Sequence, residues 1–360
     1  MKVLFWVQHL LGIGHVARAA ILVDAMRTRG LDVTVVLGGF PTPVTFDAPV
    51  RQLSPVRATD QTFGQLVCAQ GPVDAALWER RAAELAAIHA ELRPDVLLIE
   101  AWPFGRRPFS RELLPLVGRS RTAISVRDIL HAGRKPGRAE ETRDRANRAD
   151  LVLVHADPAI ARLADTFPLA RELAVPVEHT GLVAPTRPIE PIRDADVVVS
   201  AGGGAFGAPL LRAAVEAARG MSETFLVATG RNGDPAVRAE LVASAPPNVR
   251  VAEHVDRLAD RMAGARVSVS QAGYNTAADL LRAQAHGTRA VLVPSDVYGQ
   301  NEQATRARLM ARAGRATVLP ESRLTPQRLA RAIREAPEPV AVPVDMNGAA
   351  RTAELLADLA

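Results

Sequence analysis

Cysteine is nearly absent from this 360-residue chain, where Cys68 stands alone. One thiol makes no internal disulfide and no thiolate metal cluster, in keeping with a reducing compartment. Lysine is almost as scarce. Lys2 and Lys135 are the only ones, so the 44 basic residues are nearly all arginine. Set against 39 acidic residues, they leave a net charge of +5, modest for the length. No arginine stripe with interleaved aromatics accompanies them, which argues against a nucleic-acid partner. Long apolar runs are missing too, and none reaches the roughly 20 residues of a membrane-spanning helix. The opening MKVLFWVQHLLGIGH is broken by Gln8 and His9, and no small-residue cleavage site follows it. The expectation is a soluble, cytoplasmic protein whose membrane contact, if any, is peripheral.

What is present is a pattern of short apolar runs alternating with helical segments. Hydrophobic residues make up 48% of the chain, enough for well-buried cores, and the length suits two domains. Strands are expected at Lys2–Val7, Asp32–Leu37, Asp95–Glu100, Thr122–Val126, Leu151–His155 and Val175–Thr180. Helices are expected after GIGH, with Val16, Ala20, Val23 and Met26 on one face, and over Val73–Leu92. Such alternation predicts a parallel sheet covered on both faces. The stretch 131–148 carries six basic and three acidic side chains. It reads either as a solvated face or as a flap recruiting an anionic acceptor. The proline-rich APTRPIEPIRDAD, 184–196, reads as an interdomain linker. A second strand–helix series follows, and Met346–Leu359 forms an amphipathic helix expected to pack on the first domain.

The second series holds the loops with chemical potential. VVVSAGGGAFG places Gly202, Gly203, Gly204 and Gly207 between a strand and a helix. Glycines let backbone amides approach an anion, and a helix start favours negative charge. A tight turn is the structural alternative; four glycines in six residues favour phosphate contact. The spaced G-x-G-x-x-G pattern is absent, and no acidic residue ends the next strand, which weakens a nicotinamide dehydrogenase. In SVSQAGYNTAADLLRAQ, Ser270 and Gly273 lie at a strand end, and Asn275 or Thr276 is the expected helix cap. Asp279 then falls one turn in, on the side of Thr276. Hydroxyls and amides there suit a diphosphate, and the carboxylate suits a vicinal diol such as ribose; an ordinary capped helix is the alternative. Asp296, Gln300, Asn301, Glu302 and Gln303 crowd a later loop and helix start, a set that pairs well with sugar hydroxyls.

Ser270, Gly273, Thr276 and Asp279, then a strand, a proline and the Glu302–Gln303 pair, resemble the donor half of GT-B glycosyltransferases. Family 28, with the lipid-linked peptidoglycan N-acetylglucosaminyltransferase, is the nearest named group. Asp279 stands where that relative has glutamate, and Glu302 where it has glutamine, so the ribose contact carries over and the donor sugar does not. The chain is also similar to a group of predicted glycosyltransferases through GIGHVARAA, LLIEAWPFGRRPFSRELLPLV at 97–117, SVRDIL at 125–130, LVHADP at 153–158 and VVSAGGG at 198–204.

The resemblance implies two facing Rossmann-like α/β domains with an interdomain cleft. Residues 1–185 would bind the acceptor, 186–345 the nucleotide-sugar donor, a UDP-sugar in first place, and 346–360 would return to the first domain. Donor contacts are expected from Gly202, Gly203, Gly204, Arg231, Ser270, Gly273, Asn275, Thr276, Asp279, Glu302 and Gln303, with His254 and Val255 beside the base. Gly12 and Gly14 would belong to an acceptor loop. His15 at the helix start is then a general base or a positioning group, since that site disfavours imidazolium. Glu100 is its expected orienting partner or a second base; a salt bridge to Arg106 or Arg107 is its alternative. Trp102 and Phe104 are candidates for an acceptor wall, with plain packing as the alternative, and Asp128 for a hydroxyl contact. Single displacement onto a small-molecule or lipid-linked acceptor hydroxyl predicts inversion, and needs no cofactor or metal. A nucleotide-sugar epimerase using Glu100, Asp128 and Glu302, and a non-catalytic nucleotide-sugar-binding protein, are the competing classes.

Overall fold

A computed structural model describes residues 1–59, 64–130, 136–202, 207–231, 233–295 and 302–359. The chain divides into two compact units. One comprises Met1–Pro185 with Asp345–Ala360, the other Thr186–Val344.

The first unit is built on seven parallel strands: β1 (Lys2–Val7), β2 (Asp32–Leu37), β3 (Val50–Gln52), β4 (Val96–Glu100), β5 (Arg121–Arg127), β6 (Leu151–His155) and β7 (Val177–His179). Their spatial order is β7-β6-β5-β4-β1-β2-β3, and β1 pairs in register with β2 (Lys2 with Asp32) and β4 (Val3 with Val96). Nearly every residue of β1, β4 and β6 is buried, so the runs are continuous rather than alternating, as in sheets covered on both faces. On one face, α1 (Gly14–Thr28) lays Val16, Ala19, Leu22, Val23 and Met26 against Val3, Phe5 and Val7. Ala19, not the expected Ala20, shares the buried stripe. The other face carries α2 (Ala75–Leu92) with Leu77 and Leu85 against Leu4 and Trp6. The Asp74 carboxylate caps α2 by accepting from Leu77 N–H at 2.8 Å. Asp74→Ala is expected to cost about 1 kcal/mol, read from the denaturant midpoint at unchanged m-value.

In the charged segment, α3 (Arg138–Ala146) buries Thr142 and Ala146, and its arginines pair with Glu141 and Glu172. Residues 131–135 of that segment lie outside the described residues.

The second unit has six parallel strands: β8 (Val197–Ser200), β9 (Phe225–Ala228), β10 (Val249–Ala252), β11 (Val267–Ser270), β12 (Arg289–Leu292) and β13 (Thr317–Val318). Their order is β10-β9-β8-β11-β12-β13. Helices α4 (Ala208–Ala218), α5 (Pro235–Ser244), α6 (Leu258–Gly264), α7 (Tyr274–Gln284), α8 (Glu302–Arg312) and α9 (Pro326–Glu335) cover it. Strands β8 and β11 lie side by side in its centre, with Ser200 level with Ser270. Their exit loops are thus neighbours. The sequence-expected linker is fastened to this unit from Arg187 onward. Asp260 on α6 takes Arg187 at 2.5 Å and the Glu190 N–H at 2.9 Å. Burial pushes its carboxyl up, but these donors and Arg257 outweigh that and hold it at about 2.

The chain then returns. Leu182 N–H donates to the Asp345 carbonyl at 2.8 Å, and Asp345 N–H to Asp157 at 2.8 Å. Gly348 opens α10 (Gly348–Leu359) so close to the Gly181 carbonyl that any Cβ would overlap it. Ala349, Ala353 and Leu356 of α10 join the cluster formed by α1 and β1.

Candidate active site

The candidate residues form one group in each unit. In the first, β1 runs into α1 through Gln8–Ile13, and β4 ends at Glu100 on the neighbouring strand. That adjacency brings His15 to Glu100: His15 Nδ1 lies 2.5 Å from Glu100 Oε1. Against a carboxylate oxygen Nδ1 is the donor, and a neutral ring then carries its lone pair on Nε2. The sequence had offered Arg106 or Arg107 as the carboxylate's other partner. The guanidinium bonded to it is instead Arg18, one turn along α1, whose Nη2 donates to the same Oε1 at 2.5 Å. Glu100 and Arg18 are almost wholly buried, at 1% and 2%, while the imidazole keeps 15% of its surface. Glu100 Oε2 is buried with no hydrogen-bond partner among the described residues.

The charges around the pair set its protonation. Burial pushes the His15 pKa down to about 3; Glu100 opposes this, and Arg106 and Arg127 add to it. Burial alone would raise the Glu100 carboxyl, but the His15 hydrogen bond with Arg18 and Arg106 holds it below the usual carboxylate range. The pair therefore rests as carboxylate and neutral imidazole. A second buried histidine, His155, bridges Ser125 Oγ at 2.7 Å and Thr180 Oγ1 at 2.9 Å, and burial holds it at about 3.

Other acceptor-side expectations fare differently. Gly12 is exposed, with open space where a Cβ would sit, and Gly14 is the first residue of α1. Trp102 takes the packing alternative. Its indole is fully buried, donates to Ser110 Oγ at 2.9 Å and belongs to the core with Phe109 and Leu113. Phe104 is likewise packed, edge-on to Phe167 at 5.2 Å, and 5% exposed. Neither ring offers a wall. Asp128 is buried at the end of β5 and accepts from Ile129 N–H at 2.7 Å.

In the second unit, the β8 and β11 exits converge. Gly202 sits at φ +64°, and a Cβ there would come within 3.3 Å of Thr276 Oγ1. Gly202 N–H donates to Ser200 Oγ at 3.2 Å. Gly203 and Gly204 lie outside the described residues. Helix α7 is capped at least two residues earlier than expected, with Gly273 at the N-cap and no side-chain capping bond. Asn275 and Thr276 are therefore first-turn residues and not caps. Ser270 Oγ is fully buried with no partner among the described residues. Asp279 faces Arg282 at 3.7 Å and keeps 30% of its side-chain surface. Burial pushes its carboxyl up to about 6, with Arg282 opposing and Asp260 assisting.

Glu302 and Gln303 open α8, and Gln303 Oε1 accepts from Ser295 N–H at 3.0 Å. Asp296, Gln300 and Asn301 lie outside the described residues. His254 and Val255 follow β10; His254 is half exposed and meets Asp256 at 3.0 Å. Arg231 is exposed after β9. A residue sequence reasoning missed is Arg306. Buried on α8, it donates to the Ala272 carbonyl at 2.6 Å and lies over the Tyr274 ring, bracing the turn that starts α7. No group of three or more His, Cys, Asp or Glu side chains among the described residues is arranged to hold a metal ion. No helix among them is long and apolar enough to cross a membrane.

Two parallel α/β domains, the second with glycine and hydroxyl turns at its central strand ends, are the architecture of GT-B glycosyltransferases. Residues 192–358 match the glycosyltransferase family 28 C-terminal domain, and the whole chain shares the two-domain, Rossmann-like fold of solved glycosyltransferases. Its fold is similar to the glycotransferase of kitacinnamycin (TM-score 0.67, 17% identity, covering 99% of this chain and 98% of that one). It is also similar to MurG of Acinetobacter baumannii (0.60, 17%, 99% and 98%). A third is the spinosyn rhamnosyltransferase SpnG complexed with thymidine diphosphate (0.62, 21%, 100% and 96%). No curated protein sequence matches the chain.

Proposed function

We propose that the enzyme transfers a sugar from a nucleoside-diphosphate sugar to an acceptor hydroxyl, with inversion at the anomeric carbon. The observation that carries the proposal is the His15–Glu100 pair at 2.5 Å, in a chain whose other unit carries the family 28 domain. His15 Nε2 takes the acceptor proton as the hydroxyl oxygen bonds to the anomeric carbon. The bond from that carbon to the diphosphate oxygen breaks, and its electron pair leaves with the nucleotide. Glu100 stabilises the imidazolium as it forms. The amides and hydroxyls at Gly202 and Gly273–Thr276 receive the charge gained by the leaving diphosphate, each such donor worth about 3 kcal/mol in the transition state. Asp279 accepts from the ribose hydroxyls. The SpnG complex with thymidine diphosphate supports a nucleoside diphosphate as the leaving group. None of these steps draws on a cofactor.

The test is incubation with UDP-, TDP- and GDP-sugars, alone and with small-molecule and lipid extracts. The expected result is nucleoside diphosphate released in step with a glycosylated product of inverted configuration. Epimerised donor in the absence of acceptor, or donor bound without turnover across all extracts, contradicts transfer. A product of retained configuration contradicts the single displacement.

A further inference from the structure

We propose that Arg18 is a positioning residue, whose guanidinium clamps Glu100 as a carboxylate against His15 and so fixes the imidazole with its proton on Nδ1 and its lone pair on Nε2. Three features of the geometry converge on this. Arg18 Nη2 and His15 Nδ1 share one oxygen, Glu100 Oε1, each at 2.5 Å. The guanidinium nitrogen also lies 3.4 Å from His15 Nδ1, where a positive charge opposes protonation of the ring. And the carboxylate is 1% exposed, so water does not substitute for a lost counter-ion. Arg18 and His15 are three apart on α1, which places them on one face of the helix.

A buried carboxylate keeps its charge only with a cation beside it. With Arg18 in place that cation is permanent, and the imidazole is left free to cycle. Without it, Arg106 still favours the carboxylate but does not replace the bonded guanidinium, and Glu100 has two routes to neutrality. It either draws a proton onto His15, making a resting imidazolium, or takes the proton itself and donates it to Nδ1, which moves the ring hydrogen to Nε2. Each route removes the lone pair that the proposed base uses. The other charged and titratable groups facing the pair are Arg106 and Arg127, which oppose imidazolium, and His9 and His155, whose pKa values burial lowers.

The inference takes its catalytic meaning from His15 as the base, but its test needs no substrate. Long-range ¹⁵N–¹H spectra of imidazole-labelled protein report each ring nitrogen directly, in the wild type and in Arg18→Met, Arg18→Gln and Arg18→Lys. The wild type is expected to show protonated Nδ1 and bare Nε2 from pH 5 to 8. In Arg18→Met, His15 is expected either to titrate, its pKa rising from about 3 to above about 5, or to show the proton on Nε2. Arg18→Gln is expected to do the same and serves if the methionine variant does not fold. Arg18→Lys keeps the charge and is expected to restore the wild-type spectrum. A folded Met or Gln variant with an unchanged His15 spectrum overturns the proposal, as does a folded Lys variant that behaves like Met. Should the wild-type tautomer prove right while sugar transfer fails, only the functional proposal falls. Where turnover is measurable, Arg18→Met should gain an acidic limb below about pH 6 if His15 titrates, and lose activity across the pH range if the ring proton sits on Nε2.

Discussion

Replacing His15 with alanine is expected to lower kcat by about 10²- to 10⁴-fold, the usual contribution of a positioned general base, with little change in donor KM. The size follows from where the residue sits. The imidazole is the partly exposed member of its group at 15%, backed by a carboxylate buried to 1%. Its resting pKa of about 3 keeps it neutral throughout the physiological range, so His15 itself adds no acidic limb to the pH–rate profile above about pH 5. Steady-state kinetics of the alanine variant at saturating substrates check this. Near-normal kcat would remove His15 from the chemistry.

The second large effect concerns Asp279. Asp279→Asn is expected to weaken nucleoside-diphosphate binding by about 10- to 100-fold, as for the loss of a charged hydrogen-bonding partner, while making the folded protein more stable. The sign follows from the raised pKa. Folding lifts this carboxyl from 3.8 to about 6, so the fold disfavours its ionised form. The penalty is full above about pH 6 and is relieved as pH falls toward 3.8, the reverse of a salt-bridged acid. Discounted for a side chain 30% exposed, the asparagine variant should gain about 1–2 kcal/mol at pH 7. Arg282 keeps its hydrogen bond to the Arg187 carbonyl. The same ionisation gives wild-type affinity a pH dependence. Binding should weaken about tenfold for each pH unit below about 6. Calorimetric titration of the nucleotide at pH 5, 6 and 7.5, beside urea denaturation, measures both. A variant that loses stability and binds as before would make Asp279 an ordinary helix residue.

Much of this was legible in the chain before folding. Strands such as Val197–Ser200 and Leu151–His155 were readable because a sheet covered on both faces demands apolar side chains at every position. The turns after them were readable because glycines and hydroxyl residues are common where a strand gives way to a helix. Two of the misses share a cause: partners distant in sequence. Arg18 stands among alanines and leucines of a helix and reads as a surface residue, yet its carboxylate lies 82 residues away. Arg306 lies on an arginine-rich helix, and its partner carbonyl is 34 residues back. Trp102 beside a candidate acid left a binding wall and plain packing both open, and packing with Phe109 and Leu113 decided its place. The start of α7 was misjudged because Gly273 takes the extended cap conformation that Asn275 was expected to adopt.

The most direct measurement is an amide chemical-shift map of the protein titrated with UDP and with thymidine diphosphate. Perturbations gathered at Gly202, Ser270–Thr276 and Asp279, and reduced in Asp279→Asn, are the expected pattern. Saturable binding that leaves that turn untouched, with its shifts elsewhere, would contradict the account.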